Sequence, residues 1–146
     1  MIKMNKKQPF LLAALLTAAA LSGCGMGAPS DSRDVDLDLT TMSATMVYAE
    51  VFNIMFSPEE YIGKTILMDG IYDYYYSEFS QSNCCSCIIQ DATACCSQGL
   101  EFVLTDDYTF PDDYPEVGDD ITVCGVFDSV TEGEYTYYVI RDATLE

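Results

Sequence analysis

Histidine is absent from this chain, and so is tryptophan. Without histidine there is no serine–histidine or cysteine–histidine catalytic pair and no imidazole metal site. Basic residues are nearly as scarce. Only Lys3, Lys6, Lys7, Arg33, Lys64 and Arg141 carry positive charge, against 24 acidic residues. The first three lie within the first seven residues, and no acid precedes Asp31. From residue 24 onward, three basic residues therefore face all 24 acids, an excess of 21 negative charges. Binding to nucleic acid or to an anionic membrane surface needs a basic patch, so this charge disfavours both. No apolar run reaches the roughly 20 residues that span a bilayer.

The start of the chain does have an apolar segment, residues 10–21, directly behind the three lysines. A basic start, a short apolar run and then small residues form a secretory signal. The run ends in Leu21-Ser22-Gly23-Cys24. A small residue before a cysteine at this point resembles the lipobox of bacterial lipoproteins. That resemblance implies diacylglyceryl modification of Cys24, removal of residues 1–23, and anchoring to the lipid bilayer on the extracytoplasmic face of the cell membrane. Two acyl chains hold a protein stably where one does not. Residues 24–41 read as an acidic tether, because small, proline-containing, like-charged sequence cannot bury enough apolar surface to order itself. The alternation Val35, Leu37, Leu39 could add a short strand there, although a linker describes the composition better.

Residues 42–146 then form one domain. A helix is expected over 43–56, with Ser43, Glu50, Asn53 and Ser57 on a narrow polar stripe and the remainder mostly buried. Pro58 ends it. Beyond Tyr61 the periodicity is that of strands: 64–76, 85–90, 100–104, 120–128 and 135–141. A turn is expected at Ser97-Gln98-Gly99, and a hairpin turn at Thr131-Glu132-Gly133. Gly63-Lys-Thr-Ile-Leu-Met-Asp-Gly70 echoes Gly118-Asp-Asp-Ile-Thr-Val-Cys-Gly125, and glycine inside a strand marks a bulge or bend. Ile89-Gln-Asp-Ala-Thr93 likewise echoes Ile140-Arg-Asp-Ala-Thr144. The expected fold is mainly β: a small five-stranded, OB-like Greek-key barrel with one preceding α-helix. An immunoglobulin-like sandwich needs about seven strands.

The segments "YAEVFNIMFSPEEYIGKT", "IIQDATACCSQGLEF", "YPEVGDDITVCGVFD" and "EGEYTYYVIRDATLE" resemble a group of bacterial lipoproteins, mainly of Firmicutes, with a tRNA-anti-like (OB-type) domain. The resemblance implies the barrel and the lipid anchor and brings no activity with it. Despite that name, nucleic acid is not expected as a partner, given the charge.

Six cysteines follow Cys24: Cys84, Cys85, Cys87, Cys95, Cys96 and Cys124. Their even number in an exported chain is consistent with disulfides. Their clustering is consistent with thiolate metal binding, zinc or copper(I). Free or redox-active thiols are the third reading, although no βαβ pattern surrounds the Cys84-Cys85-Ser86-Cys87 motif. Strand alternation puts Cys85 and Cys87 on one face. With Cys95 and Cys96 in a turn, those four form the expected group, and Cys124 is a possible neighbour. The aspartates of 106–120 do not have EF-hand spacing and read as a solvated loop. Tyr72, Tyr74, Tyr75 and Tyr76 read as barrel packing and hairpin surface. The functional expectation is a non-catalytic binding module with a cysteine-rich site for a metal or small ligand. The alternative is a disulfide-stapled interaction domain docking another envelope protein.

Overall fold

The computed structural model describes residues 34–146. The leader and Cys24 lie outside the described residues. The elements are strand β1 (Leu37–Asp38), helix α1 (Ala44–Phe56), a 3-10 turn (Pro58–Glu60), and strands β2 (Thr65–Ser77), β3 (Ser82–Gln90), β4 (Ser97–Leu104), β5 (Asp120–Glu132) and β6 (Tyr135–Leu145). All six strands join one mixed sheet in the order β1-β2-β3-β4-β6-β5. β2 also pairs with β5, so the pairing of β2 through β6 returns on itself as a ring. The expected five strands are present, and β1 is a sixth. β1 pairs in parallel with β2 at Ile66 and Leu67, and β4 pairs in parallel with β6. The other pairings are antiparallel.

The ring depends on β2 changing partners. Its first half, through Ile71, pairs with β5, and its second half, from Ile71, pairs with β3. Gly70 sits at the handover. A Cβ there would lie 2.6 Å from Cys87 Sγ and 2.7 Å from the Ile88 carbonyl oxygen, so only glycine allows the strands so close. Gly125 has the same function in β5, where a Cβ would lie 2.7 Å from the Arg141 carbonyl and the register with β6 shifts. These are the two glycines that end the sequence echo.

Period-2 alternation fills the interior of the ring. Ile66, Met68 and Tyr72 from β2, Cys85, Cys87 and Ile89 from β3, and Leu100, Phe102 and Leu104 from β4 are all buried. Ile121, Val123 and Phe127 of β5 and Ile140 and Ala143 of β6 complete this core.

Three expectations need correction. Helix α1 spans the expected residues, but it is not mostly buried. Only Val51 and Ile54 are buried, while Met46, Phe52, Met55 and Phe56 are exposed. The strands already fill their own interior, so the helix seals it along one narrow strip. Residues 37–41 are not tether: β1 pairs with β2, and Leu39 is 1% exposed in the core. Asp38 then turns the chain by accepting hydrogen bonds from the amide and hydroxyl of Thr40. Finally, Ser97-Gln98-Gly99 is no turn but the start of β4, paired with Gln90, Ile89 and Ile88. The reversal comes earlier, at residues 91–96.

Candidate metal site

The connection between β3 and β4 is built around one carboxylate. Asp91 Oδ1 accepts hydrogen bonds from the backbone N–H groups of Thr93 at 3.2 Å, Cys95 at 2.9 Å and Cys96 at 3.4 Å. Its Oδ2 accepts from the Thr93 hydroxyl at 2.9 Å and the Cys95 thiol at 3.3 Å. The Asp91 amide donates to the Cys96 carbonyl at 3.0 Å and closes the turn. Ala94 takes the left-handed conformation that the reversal needs, with φ 54°. Desolvation works to raise the Asp91 pKa, but the hydrogen bonds together outweigh it and hold the carboxyl below its ordinary range.

This turn brings Cys95 and Cys96 to the same side. Their sulfurs are 3.6 Å apart, and one ligand atom from each of Asp91, Cys95 and Cys96 lies within 4.8 Å of the others. Both thiols are exposed. The Cys96 thiol is pushed up by its hydrogen bond with Cys95, by desolvation and by the Asp91 charge.

The distances suit one tetrahedral ion. With Zn–S bonds of about 2.3 Å, two thiolates on a tetrahedral zinc stand about 3.8 Å apart. With a Zn–O bond of about 2.0 Å, sulfur and oxygen stand roughly 3.5 Å apart. The observed separations of 3.6 and 3.3 Å lie close to both. A two-coordinate copper(I) ion would hold its sulfurs on opposite sides, farther apart than this.

No protein-family model matches this chain, and no curated protein is significantly similar to it.

The expected group of Cys85, Cys87, Cys95 and Cys96 is not brought together. Cys85 and Cys87 do share a face, as alternation requires, but that face is the ring interior, where they are 5% and 0% exposed. Cys85 Sγ lies 3.3 Å from the Tyr72 hydroxyl. Burial pushes the Cys87 thiol up to about 12, and Cys85 is also raised chiefly by burial. Cys84 is half-buried on the opposite face. Cys84 and Cys87 thus cannot act together as a Cys-x-x-Cys site, because three residues along a strand reverse the side-chain direction.

Cys124 is buried in β5, beside Leu67 and Thr144. In register, Cys84 faces Tyr75, Cys85 faces Tyr74 and Phe102, and Cys87 faces Tyr72 and Leu100. No cysteine in the sheet stands opposite another.

The residue that sequence reasoning missed is Asp91. Its signal was an aspartate two residues before a threonine and four before a cysteine pair, the spacing of an Asx turn. The paired aspartates of the acidic loop are exposed. Asp113 and Asp119 accept backbone hydrogen bonds from Thr109 and Glu116 within the loop. Among the described residues, Asp91, Cys95 and Cys96 form a group whose ligand atoms lie close enough to share one metal ion.

Proposed function

We propose that this chain is a lipid-anchored, extracytoplasmic binding module on an OB-type barrel, and that it binds a soft divalent metal ion at Asp91, Cys95 and Cys96. One observation carries the metal assignment: two thiol sulfurs and a carboxylate oxygen lie within 4.8 Å of one another on an exposed turn, with Cys95 Sγ at near-tetrahedral ligand spacing from both of the others. Three ligands leave a fourth position for water or for a donor from another protein, the open arrangement of exchangeable sites. The ion is thus cargo or an interaction bridge rather than a structural core.

Several further observations support the rest of the reading. The OB-type assignment is supported by the ring order β2-β3-β4-β6-β5 and by the close strand approaches at Gly70 in β2 and Gly125 in β5. The anchor is supported by the leader and Cys24. Binding rather than catalysis is supported by the lack of histidine and by the upward-shifted thiols of Cys85 and Cys87.

The test is a zinc titration of the reduced full chain against a chromophoric chelator, under anaerobic conditions. One ion per chain is expected, with affinity falling in Cys95→Ser by more than the roughly 10- to 100-fold that loss of a mere supporting partner costs. Unchanged affinity in a Cys95→Ser/Cys96→Ser double variant overturns the assignment. So does a Cys95–Cys96 disulfide that persists in freshly isolated protein under reducing conditions. For the anchor, an inhibitor of lipoprotein signal peptidase should leave a larger, unprocessed chain. Normal processing of Cys24→Ala would count against it.

A further inference from the structure

A second site, remote from the metal turn in chemistry and lining, lies between the β2–β3 and β5–β6 hairpins. It is a cleft of about 240 Å³. Its lining residues include Tyr75, Phe79, Tyr137, Glu101, Glu132 and Cys84. That volume holds about eight waters, or one small organic head group.

The two carboxylates have no counter-charge of their own. Both glutamates are half-buried, and no basic residue lines the cleft. The two basic side chains among the described residues are engaged elsewhere. Lys64 Nζ sits 4.5 Å above the Tyr61 ring, and Arg141 pairs with Asp128 at 3.2 Å. Beyond the hydroxyls of Tyr75 and Tyr137, nothing in the lining neutralises the two carboxylates, so the cleft attracts cations.

The aromatic walls are held in place by those same carboxylates. The Tyr75 hydroxyl donates to Glu101 at 2.8 Å, and the Tyr137 hydroxyl donates to Glu132 at 3.1 Å. Each bond fixes a ring beside a charge. Both phenols are shifted up, Tyr75 first by its bond to Glu101 and Tyr137 first by burial, so both remain protonated donors. Phe79 is braced edge-on by Tyr135, with centroids 5.1 Å apart.

We infer that this cleft binds an organic ammonium cation, with the faces of Tyr75, Phe79 and Tyr137 receiving the alkylated nitrogen and Glu101 and Glu132 neutralising it. A bare metal ion would gain little from aromatic faces, and a neutral solute would bring no counter-charge to the carboxylates. An alkylammonium group answers both, through cation–π attraction and ion pairing. The inference is independent of the metal site, because no residue is shared.

The experiment titrates choline into the full chain at constant ionic strength, followed by NMR. The neutral isostere 3,3-dimethyl-1-butanol and sodium chloride serve as comparison solutes. Saturable choline binding is expected, with the isostere about tenfold weaker. Glu132→Gln keeps the shape of the side chain and the acceptor for Tyr137, and should weaken choline about fivefold. Tyr137→Leu should do the same with an unchanged circular dichroism spectrum. Phosphatidylcholine vesicles that displace choline would place the cation on a lipid head group. Vesicles without effect would place it on a free solute, and either outcome keeps the site. Choline that binds no better than sodium, or equally well to a Glu101→Gln/Glu132→Gln variant, reduces the cleft to diffuse charge attraction and overturns the inference.

Discussion

Asp91 holds together the turn that carries the metal ligands, and its substitutions separate structure from binding. Asp91→Asn retains an oxygen acceptor for the amides of Thr93, Cys95 and Cys96 but removes the charge. It should leave the fold intact by NMR while weakening zinc by about tenfold or more. The pH dependence follows from two shifts. Asp91 is lowered in the folded chain, so its contribution to stability is full above its unfolded pKa of about 3.9 and is lost as pH falls through the folded value. Cys96 is raised and protonated in the metal-free protein, so zinc binding must release its proton. Apparent zinc affinity should therefore rise with pH across the neutral range, and calorimetry in buffers of different ionisation enthalpy should detect proton release. Equal affinities at pH 6 and 8 would contradict this.

The six cysteines of the domain also differ in reach. Cys95 and Cys96 are exposed, whereas Cys85 and Cys87 are buried with raised thiols. A short pulse of iodoacetamide on the native protein should alkylate the first two and spare the second two, as read by peptide mass spectrometry. Modification of Cys87 at the rate of Cys95 would mean that the ring interior opens readily.

At the scale of elements, β2 and α1 make opposite predictions. Gly70→Ala forces a methyl to within 2.7 Å of the Ile88 carbonyl, a backbone atom that cannot move aside alone. It should cost about 1–3 kcal/mol in urea unfolding. In α1, Ile54→Ala empties a fully buried position and should cost about 2–4 kcal/mol, whereas Phe56→Ser, on a side chain 78% exposed, should cost under about 0.5 kcal/mol. A helix hydrophobic on most sides normally signals burial, and the sequence reads that way. The structure shows instead an apolar helix laid on a sheet whose interior is already full. Composition records how apolar an element is; it does not record how much partner surface is present.

For the whole molecule, charge dominates. Among the described residues, Lys64 and Arg141 are the two cations. Self-repulsion among the acids should make the domain salt-dependent, so the urea midpoint should rise as sodium chloride goes from 10 to 150 mM, the Debye length falling from about 30 to about 8 Å. A midpoint indifferent to salt would mean that the acids are too dispersed to repel.

Local periodicity determined a good deal on its own. The helix span, the five main strands, the special place of Gly70 and Gly125 in their strands, and the shared face of Cys85 and Cys87 all follow from patterns a few residues long. The charge and the absence of histidine narrowed the chemistry in the same way. Three matters depended on contacts across the fold. β1 exists because β2 offers it an edge, and Leu39 is core because that pairing lays it in the cluster that Val51 and Ile54 of the helix also join. The cysteine group divided because one face of β3 turned inward and the 91–96 turn outward, a distinction that alternation alone cannot make. The cleft of Tyr75, Glu101, Glu132 and Tyr137 draws on four strands that meet only when the pairing closes, so no stretch of sequence could contain it.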